Sequence, residues 1–165
     1  MSTTGNNAVN EKKHEPAMLE GLLDLAATDT KFSGMLTHLS AQTLHLSGIT
    51  QLRPWLIGAL ARHTPVVVVT ATGREAEDLT AELRALMGDK VAWFPAWETL
   101  PHERLSPAAD VAGSRAKVLA HLNDLSVVVT AARGLAQPII ETVSGREPVV
   151  LTVGEEKNFE ELPKI

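Results

Sequence analysis

Among the residues that could do chemistry, the first pattern to test is a phosphate cradle at Gly48-Ile49-Thr50-Gln51-Leu52-Arg53-Pro54-Trp55. A triphosphate loop reads Gly-x-x-x-x-Gly-Lys-Ser/Thr. Its backbone N–H groups wrap the phosphates, the lysine neutralises charge and the hydroxyl holds magnesium. Here only the first glycine survives. Counting from Gly48 puts Pro54 at the lysine position and Trp55 at the hydroxyl position. Proline also removes one of the N–H donors that a helix start would offer an anion. Gly48, Thr50, Arg53, Pro54 and Trp55 therefore read as the relic of a nucleotide loop. Arg53 falls one residue short of the lysine position and is read as a surface arginine. The expected cofactor content of this chain is none. A divergent ATPase stays open as the enzymatic alternative.

Other chemistry fares no better. Glu98, Glu103 and Asp110 lie close in sequence and have the right groups for acid and base, but nothing beside them supplies a nucleophile or a pocket. Their structural reading is Glu98 accepting hydrogen bonds within its loop, with Arg104 or Arg115 paired to a neighbouring carboxylate. Six histidines (His14, His38, His45, His63, His102, His121) show no metal spacing, and there is no cysteine to give a thiolate site, a disulfide or a nucleophile. Trp93, Phe94 and Trp97 have the ring faces on which a base would stack. The better reading puts Trp93 or Phe94 in the core, with Trp97 pinning the loop, because buried rings contribute mainly through area.

The elements that must position these residues are read from periodicity. Residues 1–15 are polar and are expected to be a disordered leader. Met18, Leu19, Leu22, Leu23 and Leu25, then Phe32, Met35, Leu36 and Leu39, fall at helical spacing and predict a helical pair on the edge of a larger unit. Leu44-His45-Leu46 alternates and predicts a short strand. A helix follows from Pro54, a proline its first turn tolerates. Val66 to Val69 predict a strand buried on both faces, as in a parallel sheet. Thr72-Gly73-Arg74-Glu75 matches a capping box ahead of Ala76, Leu79, Leu83 and Leu86, and Gly88 ends that helix. Val91 to Phe94 is a strand stopped by Pro95. Ser106 and Pro107 read as the cap of a helix carrying Val111, Arg115, Val118, Leu119 and Leu122. Ser126 to Thr130 is another strand and Ala131 to Ala136 a helical turn. Such alternation predicts a mostly parallel α/β domain over residues 16–143. Residues 144–165 are read as a linker and the start of a second, truncated domain, with strand Val149–Val153 and an acidic stretch, Glu155 to Leu162.

Bulk properties narrow the partners. The chain has 165 residues, 44% of them hydrophobic, enough for a real core. Its net charge of -5 lacks the surplus that gripping DNA phosphates requires, so DNA is expected to bind weakly if at all. An accessory DNA-binding domain stays open as the third reading. Residues 1–16 hold no apolar core of a signal peptide, and no apolar run is long enough to span a bilayer. A cytoplasmic protein without membrane contacts is expected.

The stretch Trp93-Phe94-Pro95-Ala96-Trp97-Glu98-Thr99-Leu100-Pro101-His102-Glu103-Arg104-Leu105-Ser106-Pro107 resembles the P-x-W-E-T-L-P-Y-E-x-x-S-P element of bacterial transcription-repair coupling factors. Ser114-Arg115 with Val118-Leu119 is similar to the helix that follows it in that family. The resemblance spans about Leu44 to Thr152 and rests on Trp97, Glu98, Thr99, Leu100, Pro101, Glu103, Ser106 and Arg115. It implies the N-terminal, UvrB-like region, whose first unit has a RecA-like three-layer fold with a mostly parallel sheet. It also implies a whole protein that displaces stalled RNA polymerase by ATP-driven translocation on DNA and recruits UvrA for excision repair. The ATP- and magnesium-dependent motor and the polymerase contact of that family lie far C-terminal. This chain would therefore be a non-catalytic module whose partners are the factor's other domains, meeting UvrA and polymerase through the intact protein. UvrB's DNA-inserting hairpin corresponds here to the short 95–106 loop, which lacks a run of aromatic residues.

Overall fold

The computed structural model describes residues 19–41, 43–99, 108–139 and 153–154. Three strands, β1 (Val66–Thr70), β2 (Val91–Phe94) and β3 (Val127–Ala131), form one parallel sheet in the order β1-β3-β2. The long helix α4 (Gly73–Met87) connects β1 to β2, and α5 (Ala109–Ala120) precedes β3. This is the mixed α/β architecture with parallel strands that the alternation predicts, and it agrees with a RecA-like unit.

Register explains which valines matter. Val66, Val127 and Val91 align across the three strands, and Val68, Val129 and Trp93 align two residues on. These positions share one face. Against it α4 lays Ala76, Leu79 and Leu83, closing a core in which Val127 and Val129 have no exposure. Each such side chain contributes about 1.5–3 kcal/mol by leaving water. The opposite face is covered near β2, where Phe94 is buried, but not at β1: Val67 is 62% and Val69 46% exposed. The expectation that all the valines are buried on both faces is therefore corrected. β1 is an edge strand, and among the described residues nothing covers its outer half.

α4 begins as its sequence dictates. The Thr72 hydroxyl accepts from the Glu75 N–H at 3.2 Å, and the Glu75 carboxylate accepts from the Thr72 N–H at 3.3 Å and the Ala71 N–H at 3.2 Å. Gly88 closes the helix with φ of 59°. Because Thr72 holds both the cap and its glutamate partner, Thr72→Ala is expected to cost about 1 kcal/mol, read as a lower midpoint in urea with unchanged slope.

The predicted helical pair exists in shorter form. α1 (Gly21–Asp24) runs into a 3-10 turn, and α2 (Thr30–Leu36) is capped by Asp29, whose carboxylate accepts from the Phe32 N–H at 2.8 Å. Leu39 lies beyond α2 and is exposed. Both helices dock on α3 (Arg53–Ala61). Phe32 packs with Ala26 and Ala59, Leu23 lies over Gly58, and Arg62 pairs with Asp24 and Glu20.

Four further expectations change. Leu44-His45-Leu46 forms no strand; Leu44 is 42% and Leu46 51% exposed, so the alternation buries nothing that would fix it in a sheet. The first strand of the sheet is β1, after α3. The helix carrying Arg115 starts at Ala109, and its N-cap position, Ala108, has no side-chain cap, because alanine has no acceptor to offer. Its expected face stops short of Leu122, which falls in a 3-10 turn and is exposed. Val153 belongs to a turn with Gly154 and is fully exposed, not the end of a strand. The leader, Ser106, Pro107, Val149–Thr152 and the acidic stretch lie outside the described residues.

Candidate functional site

Two regions hold the predicted residues, and they behave differently. The first is the relic loop. Residues 43–49 are irregular, Thr50–Leu52 make a 3-10 turn, and α3 opens at Arg53 with Pro54 in its first turn and no side-chain cap. A phosphate cradle needs glycine where the backbone turns left-handed or approaches the ligand closely. Gly48 does not turn left-handed: positive φ among the described glycines occurs only at Gly88 and Gly154. Arg53 is exposed. The loop edges a cavity of about 560 Å³ lined by Phe32, Met35, Leu46, Ile49, Trp55 and Leu56, among others. Trp55, at the hydroxyl position of the cradle, instead donates its indole N–H to the Leu22 carbonyl at 2.9 Å. The wall is mainly apolar, with Asp29, Lys31, Ser47, Thr50 and Arg53 also on it. At the sheet's own strand-to-helix turn, after β1, Glu75 takes the Ala71 and Thr72 N–H groups and sets a negative charge there.

The second region is the Trp-Glu-Thr loop leaving β2. Arg115 on α5 is only 4% exposed and reaches across to it. Its guanidinium donates to the Pro95 carbonyl at 2.8 Å and, at 3.4 Å each, to Gln137 Oε1 and the Pro138 carbonyl. The same group lies 4.1 Å from the Phe94 ring centre and 4.7 Å from that of Trp97. Gln137 accepts the Trp97 N–H at 2.7 Å and donates to the Trp97 carbonyl at 3.1 Å. The short helix α6 (Ala132–Leu135) supplies Arg133, which donates to the Glu98 carbonyl at 3.0 Å and the Thr99 carbonyl at 3.4 Å. Beneath, the Thr130 hydroxyl donates to the Phe94 carbonyl at 2.8 Å. A segment without its own ladder thus has its backbone groups satisfied by side chains.

Among the described residues Arg115 takes carbonyls and ring faces and no carboxylate, and Glu98, itself exposed, offers its carbonyl to Arg133. Burial lowers the Arg115 pKa from the ordinary guanidinium value, and the carbonyls and rings offset that loss of water. The aromatic cluster splits: Phe94 and Trp97 hold Arg115, while Trp93 packs on the α4 side of the sheet. Leu100, Pro101, Glu103, Arg104 and Ser106 lie outside the described residues. Gln137, Arg133 and Thr130 were missed from sequence, since nothing in a single polar residue announces a backbone partner some 35–40 positions away. Among the described residues, no three metal-binding side chains cluster, and no helix is long and apolar enough to cross a membrane.

Sequence comparison adds the decisive observation. The chain is 44% identical over 153 residues to the transcription-repair-coupling factors of Mycobacterium bovis and Mycobacterium tuberculosis, covering 86% of this chain and 12% of each relative. It is homologous to a segment of transcription-repair-coupling factors. The factor of Haemophilus influenzae matches at 41% identity over 58 residues, 35% of this chain and 5% of that protein. No family model matches the chain. The chain spans only 12% of the length of those two relatives, so the homology speaks for the ancestry of the α/β unit and not for the activity of a whole factor.

Proposed function

We propose that this chain serves a transcription-repair-coupling factor as a non-catalytic module whose contribution is shape and contact surface. The observation that carries this reading is the replacement of the phosphate-binding groups at Gly48 to Trp55 by Pro54 and Trp55, beside an apolar cavity. With proline at the lysine position and tryptophan at the hydroxyl position, the loop lacks the two side chains by which a phosphate loop neutralises a triphosphate and holds magnesium. Translocation, displacement of stalled polymerase and recruitment of UvrA then belong to the intact factor, with ATP and magnesium used by its distant motor. This module supports them by packing against neighbouring domains. The side-chain framework around Pro95 to Thr99 suits that role, because it fixes the course of a half-buried loop that exposes Glu98, without preparing a reaction.

Calorimetric titration of the chain with Mg-ATP tests this directly. No heat of binding is expected at micromolar to millimolar nucleotide, and Arg53→Ala is expected to change nothing. Micromolar binding that Arg53→Ala abolishes overturns the reading in favour of a divergent ATPase. The same preparation titrated with duplex DNA at low salt is expected to show no saturable binding, given the net charge of -5.

A further inference from the structure

The cavity beside the relic loop has a composition of its own. Its apolar wall comes from Phe32 and Met35 of α2, Ile49 of the loop, and Trp55 and Leu56 of α3. Two cations, Lys31 and Arg53, border it; both are exposed, and among the described residues neither has an ion-pair partner. Asp29 also borders it, but its carboxylate is engaged as the cap of α2. A cavity of about 560 Å³ falls in the range that takes one or two large side chains or a small ligand. Its wanted occupant is apolar at the centre and anionic at the rim.

One segment of this chain has that chemistry. Glu155-Glu156-Lys157-Asn158-Phe159-Glu160-Glu161-Leu162 sets Phe159 and Leu162 three residues apart between four glutamates and a single lysine. Gly154, with φ of 90°, turns the chain immediately before it. From Ile139 to Glu155 the chain has 16 residues, an extended reach of about 50 Å. A domain of this size is roughly 35 Å across, so the tether reaches any face. We propose that Glu155–Leu162 docks in the cavity between α2 and the relic loop, with Phe159 in the apolar floor and the glutamates against Lys31 and Arg53. Tethering raises the local concentration of such a segment to the millimolar range, so a weak contact suffices. The degenerate nucleotide site would then have become a peptide-holding site.

The absence of native cysteine makes a clean test. In the full chain, Met35→Cys with Asn158→Cys is oxidised and compared with Val67→Cys with Asn158→Cys, which reports on the exposed sheet face and, like the first pair, leaves Phe159 in place. The expected result is an intramolecular disulfide at least ten-fold faster for the first pair. Adding Lys31→Glu and Arg53→Glu should slow it several-fold, the slowing lessening at high salt. Circular dichroism confirms that the variants fold; should Met35→Cys fail that check, Ile49→Cys takes its place. Equal rates at the two positions, disulfide-linked dimers in place of monomers, or indifference to the charge reversals would each overturn the proposal.

Discussion

Val129→Asp is expected to abolish the folded state, whereas Val67→Asp, on the neighbouring strand, should leave it intact. Val129 sits in the central strand with no exposure, between β1 and β2 and under α4. The side chains packed around it include Leu79, Leu83, Val91 and Val127, all apolar. A carboxylate there must either stay ionised in an apolar site or take up a proton and remain without partners, and either cost is several kcal/mol or more. Domains of this size have only about 5–15 kcal/mol in hand. Val67 has the same side chain in a strand of the same sheet, but it is 62% exposed, so an aspartate at that position keeps its water. Its substitution should cost no more than about 1 kcal/mol, the span of strand preferences. Urea unfolding followed by circular dichroism separates the two: no cooperative transition for Val129→Asp, a nearly unchanged midpoint for Val67→Asp. If both variants unfold alike, the outer face of β1 is in fact covered, and the edge-strand description fails.

That contrast also marks how far the sequence speaks for itself. Signals confined to a few residues were readable. The Thr72–Glu75 box forms as written because its partners are three residues apart, and Val91 to Phe94 is a strand that Pro95 ends. The α/β class was readable too, since valine runs alternate with amphipathic helices. What depends on distant partners was not. Four valines in a row predict burial on both faces, but whether both are covered depends on strand order, and β1 lies at an edge of β1-β3-β2. Leu44 and Leu46 carry an alternation too short to specify a strand, and they pair with nothing. At the candidate sites, the departure from the phosphate-loop pattern was legible at Pro54 and Trp55, because a missing lysine needs no structure to be noticed. The cavity those residues border was not legible, for it needs α2 folded against α3. Likewise Arg115 was singled out, but not the carbonyls it meets, since carbonyls carry no mark in a sequence.

The framework around Arg115 gives the second large effect. Arg115→Met keeps much of the side chain's length and apolar stem, yet it removes every donor to Pro95, Gln137 and Pro138 and the cation stacked on Phe94 and Trp97. The Pro95 carbonyl, whose bond to Arg115 is buried, is left without that donor. With hydrogen bonds to a charged group contributing about 1.5–3 kcal/mol and a cation over a ring about 0.5–2, a loss of about 2–4 kcal/mol is expected after relaxation. Arg115→Lys should recover less than half of it. An ammonium keeps the charge but cannot serve carbonyls on two sides while lying flat against two rings. The loss is shared with Gln137, which holds both backbone groups of Trp97. Arg115→Met and Gln137→Ala should therefore cost less together than the sum of their separate costs, by about 0.5–3 kcal/mol in a double-mutant cycle. Acrylamide quenching of tryptophan fluorescence should rise in each variant as Trp97 loses its cover. Strictly additive costs with unchanged quenching would mean that Arg115 stabilises the helix it belongs to and not the loop, and the idea that this framework presents the Trp-Glu-Thr segment as a fixed surface would be lost.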